Sequence, residues 1–477
     1  MPEGTIFQEG IPATQNNAPP AVQPQVSYTN PSKEKSEDKP SGFHPKRLIK
    51  IGIFLFVLLT IIFVIISLLL PRLNSKEKNV TLIYWGIKED ASVLEPVIKE
   101  FESKNPNINI EYSMQDPKDY REKLTTRIST GNGPDVFKYH NTWFPMLRND
   151  LLPLPKETID RNKFNESFYN VAQEDLIKNG AIYGIPAETD TLALYVNTSL
   201  FAEATATPPA TWQEFIDASE ILTKRDESGR IAVGGAAIGT YDNVNHAPDI
   251  ISLLFVQNGV DFENISDFPE KISDALRFYT TFALTENAVW NTTLDPSLSA
   301  FTQGKLAMYF GYYWDYFEIK AKNPNVEFKI FPVPQLLTDS RKNIASYWAD
   351  GVSAQSKNQK EALRFIQFLA EEDTQRKIYQ EQLKKRGLGQ PPGHKGVMAD
   401  LKNTESFVFA DQSLTAGSSP FVDGTFDNGL NDNSNAVLRD LINSILDNLN
   451  PDSSSDNLIE GYLEVLSGFS PKPTIEK

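Results

Sequence analysis

Residues 311–317 read GYYWDYF, a glycine followed by five aromatic residues in six positions with Asp315 among them. Rings at that density fill a core, cover an interface or line a pocket. Trp314, Phe317 and Ala321 stand at i, i+3 and i+7, the spacing of a buried helix face, so Phe317 is expected in a core. The motifs of catalysis are missing. His44, His140, His246 and His394 show no H-E-x-x-H spacing, and neither G-x-S-x-G nor a phosphate-cradling G-x-x-x-x-G-K-[ST] occurs. The segment DGTFDNGLNDNSN, Asp423 to Asn435, is rich in oxygen ligands but lacks the glycine at position six and the glutamate at position twelve of an EF-hand loop. The expected catalytic, metal and cofactor sets are therefore none. The chain has no cysteine, which excludes disulfides, thiol catalysis and a lipid-bearing cysteine.

The elements that position these residues follow one conspicuous segment. From Ile51 to Leu70 there is no charge, and seventeen of the twenty residues are Ile, Leu, Val or Phe. Twenty helical residues span about 30 Å, the thickness of a bilayer core, so residues 48–71 are expected to form a transmembrane signal anchor. No A-x-A-like cleavage site follows, which speaks for retention. Six Lys/Arg lie within twenty residues before the segment and four after it, a bias that places the N-terminus inside. Residues 1–47, rich in Pro, Gln, Ser and Lys, are expected to be a disordered cytoplasmic tail, and 72–79 a short linker. Residues 1–78 carry nine Lys/Arg against six Asp/Glu, so a whole-chain formal charge of −16 leaves −19 for the region after residue 78. Nucleic acid and anionic lipid are poor partners for it.

That region opens with VTLIYWG, a β-branched run ending at glycine, followed by a stripe of Val93, Leu94, Val97, Ile98 and Phe101 on a helix. INIEYSM, a helix with Tyr120, Leu124 and Ile128, and DVFKY complete a strand–helix–strand–helix–strand series. Such a series predicts a parallel sheet covered on both faces.

VTLIYWG, NPNINIEY, GNGPDVF, DLLPL, AIYGIP, LYVNTSLF, PPATWQEF, FTQGKLAMYFG and GVSAQSKNQKEALRFIQFL stand in order and spacing. Together they resemble the family 1 extracellular solute-binding proteins of bacterial ABC importers. The resemblance implies an α/β, two-lobed periplasmic-binding-protein-like fold with a hinge of crossing strands, here preceded by one transmembrane helix. Lobe 1 is expected from about 80–190 and 318–370, lobe 2 from about 191–317 and 371–477. It implies a small-molecule ligand, a carbohydrate, and ABC transporter permease subunits as partners, with the binding domain on the extracytoplasmic face of the cell membrane. A neutral sugar offers hydroxyls and a flat face of C–H groups, so its site needs aromatic platforms and planar polar groups. In proteins of this kind contacts come from loops at the C-terminal ends of strands. The resemblance thus points to Trp85, to His140 and Trp143 after DVFKY, and to Asp190 with Glu188 after YGIP. It adds Tyr312, Tyr313 and Trp314 after Gly311, and Tyr347, Trp348 and Asp350 before GVSAQ. Trp212, in PPATW, is expected to pack at a helix start. Rival readings are a surface adhesin or sensor without transport, and a tethered glycan-active enzyme.

If the anchor is retained with its N-terminus inside, protease added to intact cells digests the region beyond Asn79 and spares the tail. A mature chain that begins beyond residue 70, found by terminal sequencing, would overturn this topology.

Overall fold

The computed structural model describes residues 53–65, 79–337, 339–448, 450–451 and 454–469. Residues 53–65 form a helix whose exposed side chains are all apolar except Thr60. Among the described residues no helix is long and apolar enough to cross a membrane. The expected spanning helix is therefore not supplied; the rest of the 48–71 segment, the 1–47 tail and the linker up to residue 78 lie outside the described residues. This N-terminal part and the region from Glu77 onward are separate compact units.

In the second unit, β1 (Val80–Ile87) pairs in parallel with β2 (Ile108–Gln115) and β3 (Val136–His140). Between them run α1 (Ala91–Lys104), capped by the Asp90 carboxylate accepting from the Ser92 N–H at 2.8 Å, and α2 (Tyr120–Ser129). Their buried faces are Val93, Leu94, Val97 and Phe101, and Tyr120, Leu124 and Ile128, as the apolar spacing predicts; Ile98 is only half-buried. Two later segments finish this sheet on β3: β12 (Trp348–Val352), antiparallel to it, and β4 (Ile185–Pro186) beyond.

A second five-stranded sheet has the order β10 (Phe328–Phe331), β6 (Ala193–Asn197), β9 (Leu306–Gly311), β8 (Ile231–Ala236), β7 (Lys224–Arg225). It has its own core, to which α3 (Trp212–Leu222), α4 (Ala247–Gln257), α5 (Pro269–Leu284) and α9 (Leu430–Leu446) contribute. Trp212 is buried at the start of α3, behind a capping box of Thr211 and Glu214, in the packing role its motif predicts.

A third sheet of three short strands joins the two bodies. β11 (Asn343–Ser346) pairs with β5 (Asp190–Thr191) and with β13 (Ala416–Gly417). β5 stands in sequence between strands of the first and second sheets, and β11 between strands of the second and first. Two expected boundaries move. β10 pairs with β6, so the chain stays with the second sheet through Phe331 instead of returning at about 318. α8 (Glu372–Arg386), expected with lobe 2, packs on α1 and is tied to it through Lys377 and Glu100.

The approach of β8 to α3 is close enough to require glycine. A Cβ on Gly235 would lie 1.8 Å from the Ser219 carbonyl oxygen. Gly235→Ala is expected to cost at least the 1–3 kcal/mol typical of overpacking, read as a lowered denaturation midpoint in urea; an unchanged midpoint would show that the α3–β8 contact yields.

Candidate functional site

The register of β3 with β12 builds one wall of a cavity. His140 faces Trp348 and Lys138 faces Asp350 across the ladder, so alternation along both strands puts all four side chains on one face of the sheet. On that face a cavity of about 320 Å³ is lined by Tyr84, Lys138, Glu188, Trp348 and Asp350 from the first body and by Tyr313, Trp314, Phe317 and Glu318 from the second. Lys88, Glu89, Gln382 and Arg386 also line it.

Its polar floor is an array of charges. The Lys138 ammonium lies 3.6 Å from a Glu188 carboxylate oxygen and 3.6 Å from an Asp350 oxygen, and all three side chains are nearly buried. The Tyr84 hydroxyl donates to the other Asp350 oxygen at 2.8 Å. Burial alone lowers the Lys138 pKa, but Asp350 and Glu188 outweigh it and raise it; burial pushes both carboxyls up against the pull of Lys138. Beside them Glu89 accepts from Gln382 at 2.6 Å and from Arg386 at 2.9 Å.

The aromatic wall is α6 (Tyr313–Lys322). Trp314 is half-buried, and Tyr312 lies flat against it with ring centroids 4.5 Å apart and planes at 17°. The Lys88 ammonium sits over the Trp314 ring at 4.6 Å. Lys88 has a left-handed backbone, φ 60, sparsely populated for a residue with a Cβ. Asp315 seats the helix, accepting the Tyr312 N–H and the Tyr309 hydroxyl, each at 2.7 Å.

Of the residues picked from sequence, Glu188, Tyr313, Trp314, Trp348 and Asp350 meet at this cavity. The others stand behind it. Trp85 is half-buried under the Lys123 ammonium, and Trp143 is fully buried against Tyr120 and Trp348. His140 is buried between Thr142 and Ser346, at 2.8 Å and 3.0 Å. The Asp190 carboxylate accepts the Tyr313 N–H at 3.1 Å, and the Tyr312 hydroxyl donates to Asp249 at 2.7 Å. Tyr347 donates at 2.8 Å to Asp175, which burial pushes up to about 6.

Phe317, expected in the core, is only half-buried and lines the cavity; Ala321 is exposed. The buried residues of α6 are instead Tyr313, Asp315 and Ile319, and Asp315 is held inward by accepting the Tyr312 N–H and the Tyr309 hydroxyl. Sequence reasoning missed Lys88, Lys138 and Arg386 as lining groups. A lysine inside the run Val136–Tyr139, otherwise free of charge, two residues before His140 and hence on its face, was the available signal for Lys138.

Among the described residues His246, Asp249 and Asp423 come close enough to hold a metal ion, their ligand atoms within 4.8 Å of one another. His246 is already engaged by carboxylates: its Nε2 lies 3.1 Å from Asp315 and its Nδ1 3.3 Å from Asp423, and against the lowering effect of burial these two raise its pKa well above the ordinary imidazole range.

Two α/β bodies joined by crossing strands, with polar and aromatic groups from both meeting in one cavity, define a two-lobed binding protein. Residues 84–376 match the family described as bacterial extracellular solute-binding protein, and the chain belongs to that family. It is 25% identical over 359 residues to the multiple sugar-binding protein of Streptococcus mutans, covering 71% of this chain and 82% of that protein. It is 22% identical over 323 residues to the galactooligosaccharide-binding protein of Bacillus subtilis, covering 65% and 73%. Among solved structures, the cyclic alpha-maltosyl-1,6-maltose binding protein of Arthrobacter globiformis superposes with a TM-score of 0.67 at 18% identity, covering 82% of this chain and 99% of that one. A solute-binding protein from Thermotoga lettingae bound with alpha-D-tagatose superposes at 0.61 with 22% identity, covering 81% and 99%. The two-lobed periplasmic-binding-protein-like fold is thus shared.

His140 supplies a pH test of this wall. Burial, and then the Lys88 charge, lowers its pKa from the ordinary 6.5 to about 3, so the folded chain keeps it neutral while the unfolded chain protonates it. Its contribution to stability is present above pH 6.5 and is lost as pH falls toward 3, at up to about 1.4 kcal/mol per pH unit. His140→Gln, which does not titrate, is expected to shrink the difference in urea midpoint between pH 7 and pH 5; an unchanged difference would place the histidine in contact with water.

Proposed function

We propose that this chain is a membrane-anchored, extracytoplasmic binding protein that captures a neutral sugar or short oligosaccharide and delivers it to an ABC permease, with no chemistry done on the ligand. The observation that carries the reading is the spacing of Lys138 from Glu188 and Asp350. At 3.6 Å each contact exceeds the roughly 2.7–2.9 Å of a direct charge-assisted hydrogen bond. Neither the Lys138 ammonium nor the Glu188 carboxylate has a closer polar partner among the described residues. Buried charges with unused hydrogen-bonding capacity are costly unless something else supplies it.

A hydroxyl group fits that need because it accepts from the ammonium and donates to a carboxylate at once. Two neighbouring hydroxyls on a sugar ring would engage Glu188 and Asp350 from either side of Lys138. Trp314 and Trp348 supply apolar faces for the C–H side of the ring. The relatives named as sugar-binding and galactooligosaccharide-binding support the same class of ligand. The uncharged run Ile51–Leu70 supports the anchor, with the cytoplasmic tail before it.

The test is a thermal-shift and calorimetry panel of neutral sugars, including tagatose, maltotetraose and galactooligosaccharides, beside amino acids and peptides. A glycan is expected to raise the melting temperature, by about 2.7 kcal/mol of added stability at a hundred times its dissociation constant. Trp314→Ala should weaken that glycan by about 1–3 kcal/mol, or about 5- to 150-fold. Lys138→Met should abolish the shift. Binding of amino acids or peptides with indifference to every glycan would overturn the reading.

A further inference from the structure

The oxygen-rich segment that resembles a calcium loop in sequence meets the other body of the protein instead. Asp427, fully buried, accepts the N–H groups of Gly429 at 2.8 Å, Asn431 at 2.9 Å and Asp432 at 3.1 Å, fixing the start of α9. Its neighbours Phe426 and Asn428 both hold left-handed backbones, φ 48 and 45, although neither is glycine. Strain of this kind persists only where the surroundings over-determine it. Here it turns the carbonyls of residues 427 and 428 outward, onto one guanidinium. Arg121 Nε donates to the Asp427 carbonyl at 2.5 Å and Nη2 to the Asn428 carbonyl at 3.5 Å. Asp119, left-handed itself and capping nothing, accepts from the Asn428 amide at 3.3 Å, and Thr142 donates to Asn431 at 2.8 Å. A Cβ on Gly429 would come 3.3 Å from Arg121 Nε and 2.6 Å from Met146 Sδ, so any larger residue there crowds the bolt and pushes the Met146 side chain aside.

Arg121, Asp119 and Thr142 belong to the first body; the 427–431 segment, through Leu430, is rooted in the core of the second. We infer that residues 427–431 and the start of α2 form a latch between the lobes, with Arg121 as its bolt. Three features separate it from ordinary packing. Apart from Met146, which packs against both cores, the contacts named here are hydrogen bonds, so they part and remake in water. The guanidinium meets neutral carbonyls, with Glu122 its nearest carboxylate at 3.9 Å, so separating it strands no buried ion pair. The geometry is stored in two strained residues that serve no other contact of the cavity. Arg121 is thus a positioning residue: it sets the distance between the lobes without touching the solute, and the inference rests on the two-body fold and not on what the ligand is.

The chain has no cysteine, so the full-length protein takes spin labels only where they are introduced. Labels at Lys118→Cys and Asp440→Cys, both exposed and one on each body, report the separation by electron–electron resonance. With no solute added, Arg121→Ala is expected to move the distance distribution to longer values, and Asp119→Ala to move it less in the same direction. Glu122→Gln, next to the bolt but outside the latch, leaves it unchanged. If both Arg121→Ala and Asp119→Ala keep the original distribution while melting normally, the latch is refuted. Should Arg121→Ala fail to fold, the Asp119→Ala distribution alone decides. Failure of the glycan panel would leave this result standing.

Discussion

The site depends on one pair of residues where the chain crosses between its bodies. Ser346 and Asp190 face each other across β11 and β5. The Ser346 hydroxyl meets His140 at 3.0 Å, and the Asp190 carboxylate accepts the Tyr313 N–H at 3.1 Å. One backbone ladder therefore holds the end of β3 on one side and the start of α6 on the other. The polar array and the aromatic wall come from separate hydrophobic cores, yet two side chains on adjacent strands tie one to the other where the chain crosses. Burial holds Asp190 well above the ordinary carboxyl range, so its acceptor role depends on the two N–H groups that face it, from Thr191 and Tyr313.

Much of the fold was legible in the sequence, and the reason is local. The stripes of α1 and α2 and the β-branched run of β1 are patterns within single elements, and they bury the expected faces. The lobe boundaries were not legible, because they depend on pairing between distant segments: nothing in Phe328–Phe331 itself says that it will lie beside β6. The site divides the same way. Placing aromatic and acidic residues at strand ends found Glu188, Tyr313, Trp314, Trp348 and Asp350. The same logic also collected His140, Asp190, Tyr312 and Tyr347, whose polar atoms are spent on holding neighbours. Whether a side chain at a strand end points into a cleft or back into its support is a matter of rotamer and register. Lys138 was overlooked for the opposite reason: a charge within an apolar strand looks like a solvated edge until its two carboxylates, far away in sequence, are brought to it.

The arrangement of charge fits the composition of the domain. Lys138 answers two carboxylates, and Arg386 answers Glu89. Because these cations and anions alternate around one cavity, the local field changes sign over a few ångströms, which suits dipolar hydroxyls better than a full charge of either sign. The surrounding excess of Asp and Glu adds a long-range repulsion toward anionic solutes.

Lys88 gives the aromatic wall a different character from a bare platform. Its ammonium over the Trp314 ring means that any solute stacking there displaces a cation already bound to the π-cloud, while Tyr312 closes off one ring face. Recognition at this ring is then an exchange reaction. What counts is the difference between a hydrated ammonium plus a sugar face and an ammonium on the ring plus a sugar in water. Dissolved potassium or a free amine enters that same balance, so the ionic composition outside the cell becomes a co-determinant of which solutes hold the ring.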